Sequence, residues 1–474
     1  MCAVRRGVGR IGLAALALSI ASTAGCSLLF EEGPGAGARD GGVVADGGDG
    51  TQTSGDFFIG PDGDDGNAGT RDAPFLTWRH AISQLSSGQV LVALSGDYPQ
   101  EVHGDLDIGC NDDSACEGGP CRNGGAQAIS IIADRQRKAV IRASGARVAA
   151  PVRIRECLSW RVMGLRVAGS DAQGADGFND SALVLVHDSE NIELRDLLLH
   201  DSNRYLDAGL LRVRGSANVL IDRLEGYRFH SDAVLIEQSA NVEMTRGYLH
   251  GRDGDFADLP DGMASRSGCE ARGDIGVLVS GCAESYLDNV VVEEVCDGIR
   301  IEPDVDDSAS DNVVISGSMV RNATRVAYLA ESLCDRECPT EDCGVCDPTA
   351  INNRTLISNS LAVSSNEGFK LSGVVELGLI NVSSFDNSSG VLIEQGDTLN
   401  GLLDQGVSIT NSSLIGNSIA LEIADDADFP VLLSHLHRFG NNSDQQGSSA
   451  ELKSEFPLSD DPALGACQAY LPPS

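Results

Sequence analysis

The chain reads as an all-β solenoid, a parallel β-helix of short strands stacked coil on coil, and three observations lead there. The first is a quasi-repeat between Ser181 and Ala323: SALVLVHDSENIELRDLLLH, DAGLLRVRGSANVLIDRL, DAVLIEQSANVEMTRGYLH, DIGVLVSGCAESYLDNVVVEEV and DGIRIEPDVDDSASDNVVISGSMV. The second is punctuation. Small residues open the units at Ala182, Ala208, Ala233, Gly276 and Gly298, spaced by 26, 25, 43 and 22 residues, and Asn191, Asn218, Asn241, Asn289 and Asn312 each precede a second strand. The third is composition: 4% aromatic residues and 55 glycines suit a narrow aliphatic core with many turns. Units this short cannot bury their apolar faces alone, but a stack of them can.

A solenoid lengthens by adding coils, so 474 residues need not mean several domains. The net charge of −36 repels phosphates and excludes nucleic acid as a partner. It favours cations, with Ca²⁺ the candidate cofactor wherever carboxylates converge. Of 14 cysteines, Cys2 and Cys26 fall in the leader. The remaining even number, clustered in polar loops, points to disulfides in an oxidising compartment.

Residues 1–25 carry Arg5, Arg6 and Arg10, an apolar run from Ile11 to Ala21 and a small-residue end, the pattern of a secretory signal too short to remain as a membrane span. Thr23-Ala24-Gly25-Cys26 resembles the lipobox of bacterial lipoproteins, with Thr23 where that family carries a branched apolar residue. The resemblance implies lipidation of Cys26 and a membrane anchor, and Ser27 resembles the signal for the outer membrane. Residues 26–55 are too rich in Gly and Asp to pack and read as a tether.

The β-helix is expected over 56–466. Phe57 to Ile59 form a strand, and Thr77 caps a short helix that buries Trp78, Ala81, Ile82 and Leu85 over the open end of the stack. Val90 to Leu94 follow as a strand, then Ser95-Gly96-Asp97 as a turn. The run PDG, GT…APF, VLVA and GDYPQEV resembles the amino-terminal part of right-handed parallel β-helix proteins of the pectate-lyase-like superfamily. That resemblance implies a right-handed coil. It leaves function open, because the superfamily holds polysaccharide lyases, glycoside hydrolases and adhesins.

Along the coils, Gly368, Gly390 and Ala420 continue the small-residue positions. The five asparagines suit corners in the left-handed backbone region and are expected to stack as an internal ladder. Cys110, Cys116 and Cys121 form one loop cluster with Cys157 as a partner, and Cys334, Cys338, Cys343 and Cys346 would make two disulfides. Cys269, Cys282 and Cys296 complete the candidates, and Cys467 would pin the tail 467–474.

Candidate chemistry is sparse. Asp253, Asp255, Asp258 and Asp261, in an insertion over 251–273, are candidate Ca²⁺ ligands, although their spacing is not that of an EF-hand. His200, His230 and His250 are expected in one column near Arg195, Asp201, Arg228, Asp232 and Arg246, where Arg would hold a sugar carboxylate and His beside Asp would move a proton. The resemblance implies a lysine or arginine base and an aspartate cluster in the superfamily's calcium-dependent lyases; Lys370, in EGFKLSG beside Glu367, is the one lysine in a clear coil strand, and no aspartate cluster accompanies it. No residue set matches a known site. The leading expectation is a non-catalytic, surface-anchored β-helix lipoprotein in envelope structure, adhesion or binding of cell-surface or extracellular polysaccharide. The alternative is an extracytoplasmic lyase or glycoside hydrolase acting on an acidic glycan, with the insertions 251–273 and 333–355 walling its groove.

Overall fold

In the computed structural model, residues 53–454 are described except 110–126, 144–149, 170–181, 203–208, 230, 252–274, 305–308, 332–353, 374–375, 395–405, 425–430 and 448–451. Every strand pairing in the three sheets is parallel, which confirms the expected β-helix. Sheet one has 14 strands, and sheets two and three have 12 each. One coil shows the path: Ala182–His187 lies on sheet two, Glu190–Arg195 on sheet one and Leu198–His200 on sheet three. The chain then returns to sheet two one coil further along.

Within a strand, alternate residues point inward, as the pleat requires. On sheet two the inward column from Val184 through Leu211, Val234, Val277, Ile299, Tyr328, Phe369, Val391 and Leu421 is completely buried. Tyr328 and Phe369 stack within it, with ring centroids 4.8 Å apart. The capping helix forms at Trp78–Ser83 as expected. Thr77 Oγ1 accepts from His80 N, and Asp65 in turn accepts from Thr77 Oγ1 at 2.7 Å.

Ala233, Gly276, Gly298, Gly368, Gly390 and Ala420 share one corner column between sheets three and two, with Ala327. A Cβ on Gly298 would stand 2.3 Å from the Ala327 carbonyl oxygen of the next coil, so the corner admits little side chain. Ala182 is one residue out of this column. It pairs with Gly209, while Leu183 takes the column position. Ala208 lies outside the described residues.

The five asparagines all have positive φ, but they are not an internal ladder. Asn191, Asn218, Asn241 and Asn312 turn the corner into sheet one, whereas Asn289 turns the next corner, into sheet three. Asn218 and Asn241 are exposed and bond each other on the outside, Nδ2 to Oδ1 at 2.6 Å. A left-handed corner residue points its side chain away from the core, and this is why other residues fill the interior. Buried Asn387 and Asn417 form that ladder: Asn417 Oδ1 accepts from Asn387 N at 3.0 Å.

Cys157 and Cys282 correct the disulfide expectation: both are buried thiols. Cys157 Sγ donates to the Ile108 and Arg155 carbonyls, and Cys282 Sγ to those of Ile236 and Ser280. Ser189, Ser216 and Ser239 occupy the same corner on other coils and likewise bond the carbonyl two residues back. The position calls for a small hydrogen-bonding side chain in the core, and the thiol takes serine's part. Cys296 is disulfide-bonded. Cys26, Cys110, Cys116, Cys121, Cys269, Cys334, Cys338, Cys343, Cys346 and Cys467 lie outside the described residues.

Candidate functional site

The three corners of the coil are unequal. Between sheets one and three the chain turns through two residues in coil after coil, as between Arg195 and Leu198 or Thr410 and Ser413. The connections at sheet two vary more in length: two residues part Glu237 from Ala240 and five part Ser280 from Tyr286. Segments 110–126, 332–353, 395–405 and 425–430 follow a sheet-two strand, and 170–181, 203–208 and 252–274 precede one.

The outward side chains of sheet two are little exposed. Outward Leu185, Leu278, Leu329 and Leu392 are at most 8% exposed, whereas outward Tyr286 and Ile380 on sheet one are each 37% exposed. Ionisable side chains share this shelter, and their positions follow from register. One column runs through Arg212, Leu235, Leu278, Arg300, Leu329, Lys370, Leu392 and Glu422. The next runs through Arg214, Glu237, Ser280, Glu302, Glu331, Ser372 and Glu394. At the edge of the sheet stand Asp297, Val326, Glu367 and Ser389. Neighbours in a column are about 4.8 Å apart and the two outward columns about 6.6 Å apart, by strand spacing and rise.

Burial of charge requires pairing, and most of these groups are paired. Arg300 bonds Glu302 at 2.7 Å and also Glu331, and it stands 3.7 Å from fully buried Asp297. Arg212 donates to Glu237 at 2.8 Å. Lys370 Nζ is 3.0 Å from Glu394, and Ser389 donates to Glu422 at 2.8 Å. Burial pushes the Glu367 carboxyl above its ordinary value. Lys370 opposes this, but Glu394, Glu422 and Asp297 reinforce it. Burial works against the Lys370 ammonium, yet the Glu394 hydrogen bond and the charges of Glu367, Glu394 and Glu331 prevail and raise its pKa.

Lys370 thus has the acidic company that the sequence pattern denied it. The partners are glutamates on neighbouring coils, Glu331 and Glu394, in place of an aspartate cluster. Their signal was the glutamate closing LIEQ, RIEP, LAES and LIEQ at Glu237, Glu302, Glu331 and Glu394.

His200 and His250 do share a column on sheet three, separated by Tyr227. His200 is 3% exposed and stacked on Tyr227, with ring centroids 4.8 Å apart. Arg166 Nε donates to its Nε2 at 2.7 Å, so the ring proton sits on Nδ1 and is donated to Asp201 at 2.6 Å. Both nitrogens are engaged, which leaves no free position for moving a proton. Arg228 bonds Asp201 and covers Tyr227. Arg195 lies on sheet one and Arg246 at the corner leaving it, where they flank buried Asp222. Asp232 stands at the sheet-two edge beside Gly209. His230 and the Ca²⁺ candidates Asp253, Asp255, Asp258 and Asp261 lie outside the described residues. Among the described residues no three His, Cys, Asp or Glu side chains converge to hold a metal ion.

No family model matches the chain, and no curated protein does. Solved structures do. PfbA, a surface adhesin of Streptococcus pneumoniae, superposes with a TM-score of 0.51 at 12% identity, over 79% of this chain and 88% of that one. The catalytic unit of the GH87 alpha-1,3-glucanase from Streptomyces thermodiastaticus gives 0.48 at 10% identity, over 80% of this chain and 66% of that one, just under two thirds of its length. The A-module of the Azotobacter vinelandii mannuronan C-5 epimerase AlgE4 gives 0.45 at 10% identity, over 78% and 91%. At such identities the likeness to PfbA speaks to the fold.

Proposed function

We propose that this protein is a non-catalytic glycan-binding β-helix whose recognition surface is the outer face of sheet two. One observation carries the reading: on the outer face of that sheet a polar or charged side chain recurs on coil after coil, through Arg214, Glu237, Ser280, Glu302, Glu331, Ser372 and Glu394. A strip with polar groups repeating every coil suits a ligand that itself repeats, as a polysaccharide does. Pairing of Asp297, Glu302, Glu331 and Glu394 with Arg or Lys favours recognition over chemistry. That PfbA is a surface adhesin agrees with a binding role for the fold. The reading extends to an outer-membrane lipoprotein held through Cys26 and the 26–55 tether, working at the cell envelope. The second reading, a glycoside hydrolase or lyase, rests on Glu367, a carboxyl with a raised pKa beside other carboxylates.

The test is retention of the mature protein on a panel of insoluble neutral, acidic and amino polysaccharides, with product analysis of the supernatant. Retention without new reducing ends or unsaturated products is expected, and Arg300→Glu abolishes it. Retention by no polysaccharide would end the binding reading. Turnover lost in Glu367→Gln would establish the second.

A further inference from the structure

We infer that the outer face of sheet three, over its last five strands, is the contact by which two copies of this chain pair face to face. The inference stands apart from glycan binding, since it leaves the sheet-two face of each copy uncovered.

Register sets out that face. One outward column runs through Arg321, Val363, Phe385, Ile415 and Phe439, and beside it runs Met319, Leu361, Ser383, Ser413 and His437. In a chain of net charge −36, Arg321 is the one Asp, Glu, Lys or Arg at these positions. Earlier strands of the same sheet carry Arg166, Glu225 and Glu293 outward. Phe439 is 56% exposed, and Val363, Phe385 and Ile415 are partly exposed. The borders are low. On each of these coils two residues lead in from sheet one, and three or four lead out to sheet two. A second flat surface can therefore reach the strip.

An exposed apolar strip on a strongly charged protein marks an interaction site. Acidic bodies repel one another, and here two of them can meet without opposing rows of carboxylates. The column is also self-complementary, as a two-fold contact needs. With the axis along the strand of Phe385, the two Phe385 rings meet, Val363 of each copy meets Ile415 of the other, and Arg321 meets the ring of Phe439. Five strands about 4.8 Å apart, packed about 10 Å from their mates, make a contact smaller than the roughly 1,200 Å² of stable interfaces. The dimer is therefore weak and reversible. One charge opposes it: Asp386, exposed at the corner after Phe385, faces its own mate. Salt screens that exposed pair, whereas burial of the apolar side chains is unscreened.

The experiment is sedimentation equilibrium of the mature chain from micromolar to near-millimolar concentration. A concentration-dependent dimer is expected, strengthened by salt as the acidic bodies are screened. Phe385→Glu should weaken it at least ten-fold and Phe439→Ser three- to ten-fold, while Asp386→Asn should tighten it about two-fold. Val102→Glu, at a 53% exposed apolar residue near the other end of the stack, should change nothing. Circular dichroism confirms folding of each. Under mild oxidation Phe385→Cys should cross-link to its mate on a non-reducing gel, and Val102→Cys should not. A chain that stays monomeric throughout and gives no cross-link overturns the inference. So does a dimer indifferent to both phenylalanine variants. Loss of polysaccharide retention in folded Phe385→Glu, at concentrations where the parent is monomeric, also overturns it, by giving the face to a glycan.

Discussion

Arg325 reaches back one coil to clasp Asp297: its Nε stands 2.7 Å from Oδ1 while a second guanidinium nitrogen bonds Oδ2. Asp297 is fully buried at the edge of sheet two, and the Arg325 side chain is 51% exposed. The pair joins two coils at the rim of the proposed binding strip.

Removing the arginine strands the carboxylate. Arg325→Met should destabilise the protein by about 2 kcal/mol, the cost of a buried group losing its main partner. The loss stays below that of a fully buried pair because Arg300 remains 3.7 Å away. Urea unfolding midpoints check this, and an unchanged midpoint would show that Arg300 suffices.

The corner column sets a size limit. Gly298→Val places atoms against the Ala327 carbonyl and against Val320 Cγ1, which a Cβ alone would approach to 2.4 Å. Forcing the coils apart should cost about 2–3 kcal/mol. The readout is the midpoint of thermal or urea unfolding relative to the parent chain.

Burial pushes the Cys282 thiol up to about 12. Its thiolate is therefore absent at ordinary pH, and a thiol reagent at pH 8 should leave it unlabelled until the protein unfolds. Cys282→Ser should fold, because serine fills this corner at Ser239 and Ser310 and keeps the bond to a carbonyl. Rapid labelling of Cys282 in the native protein would contradict its place in the core.

Two carboxyls give opposite pH signatures. For Asp201, burial works upward, but the His200 hydrogen bond and the Arg228 charge hold it below 3.8. Its stabilisation is present above that value and disappears as pH falls through the folded pKa. Glu367 is raised above 4.5, so its contribution is complete below that value and is lost as pH rises through the folded pKa. Asp201→Asn should therefore be most destabilising at neutral pH and approach the parent in acid. Glu367→Gln should gain on the parent between pH 4 and 8. Urea midpoints across this range read both.

Much of the fold was legible because a coil is a local object. The alternation in LRVRG marks Leu211 and Val213 as inward and Arg212 and Arg214 as outward, and the structure places them so. Asn191 and Asn218 signalled left-handed corners correctly, since that preference belongs to one residue and its own backbone. The interior ladder was misassigned because serine, cysteine and asparagine have the same local look inside and outside a corner. The neighbouring coil decides which of them is buried.

The candidate site was less legible. Lys370 stood out for its rarity, but Glu331 and Glu394 looked like solvated strand ends. Ser372 gave no signal at all. Their meeting depends on register between strands separated by tens of residues.

By itself the sequence determined that short strands would stack in parallel, which residues would face inward, and where small side chains would be needed. Those properties follow from pleat, chirality and apolar pattern within a single unit. Only the tertiary structure decided which outward face is sheltered, which charges share it and which cysteines remain thiols. Each of these is a sum over neighbouring coils, and no single repeat contains its neighbours.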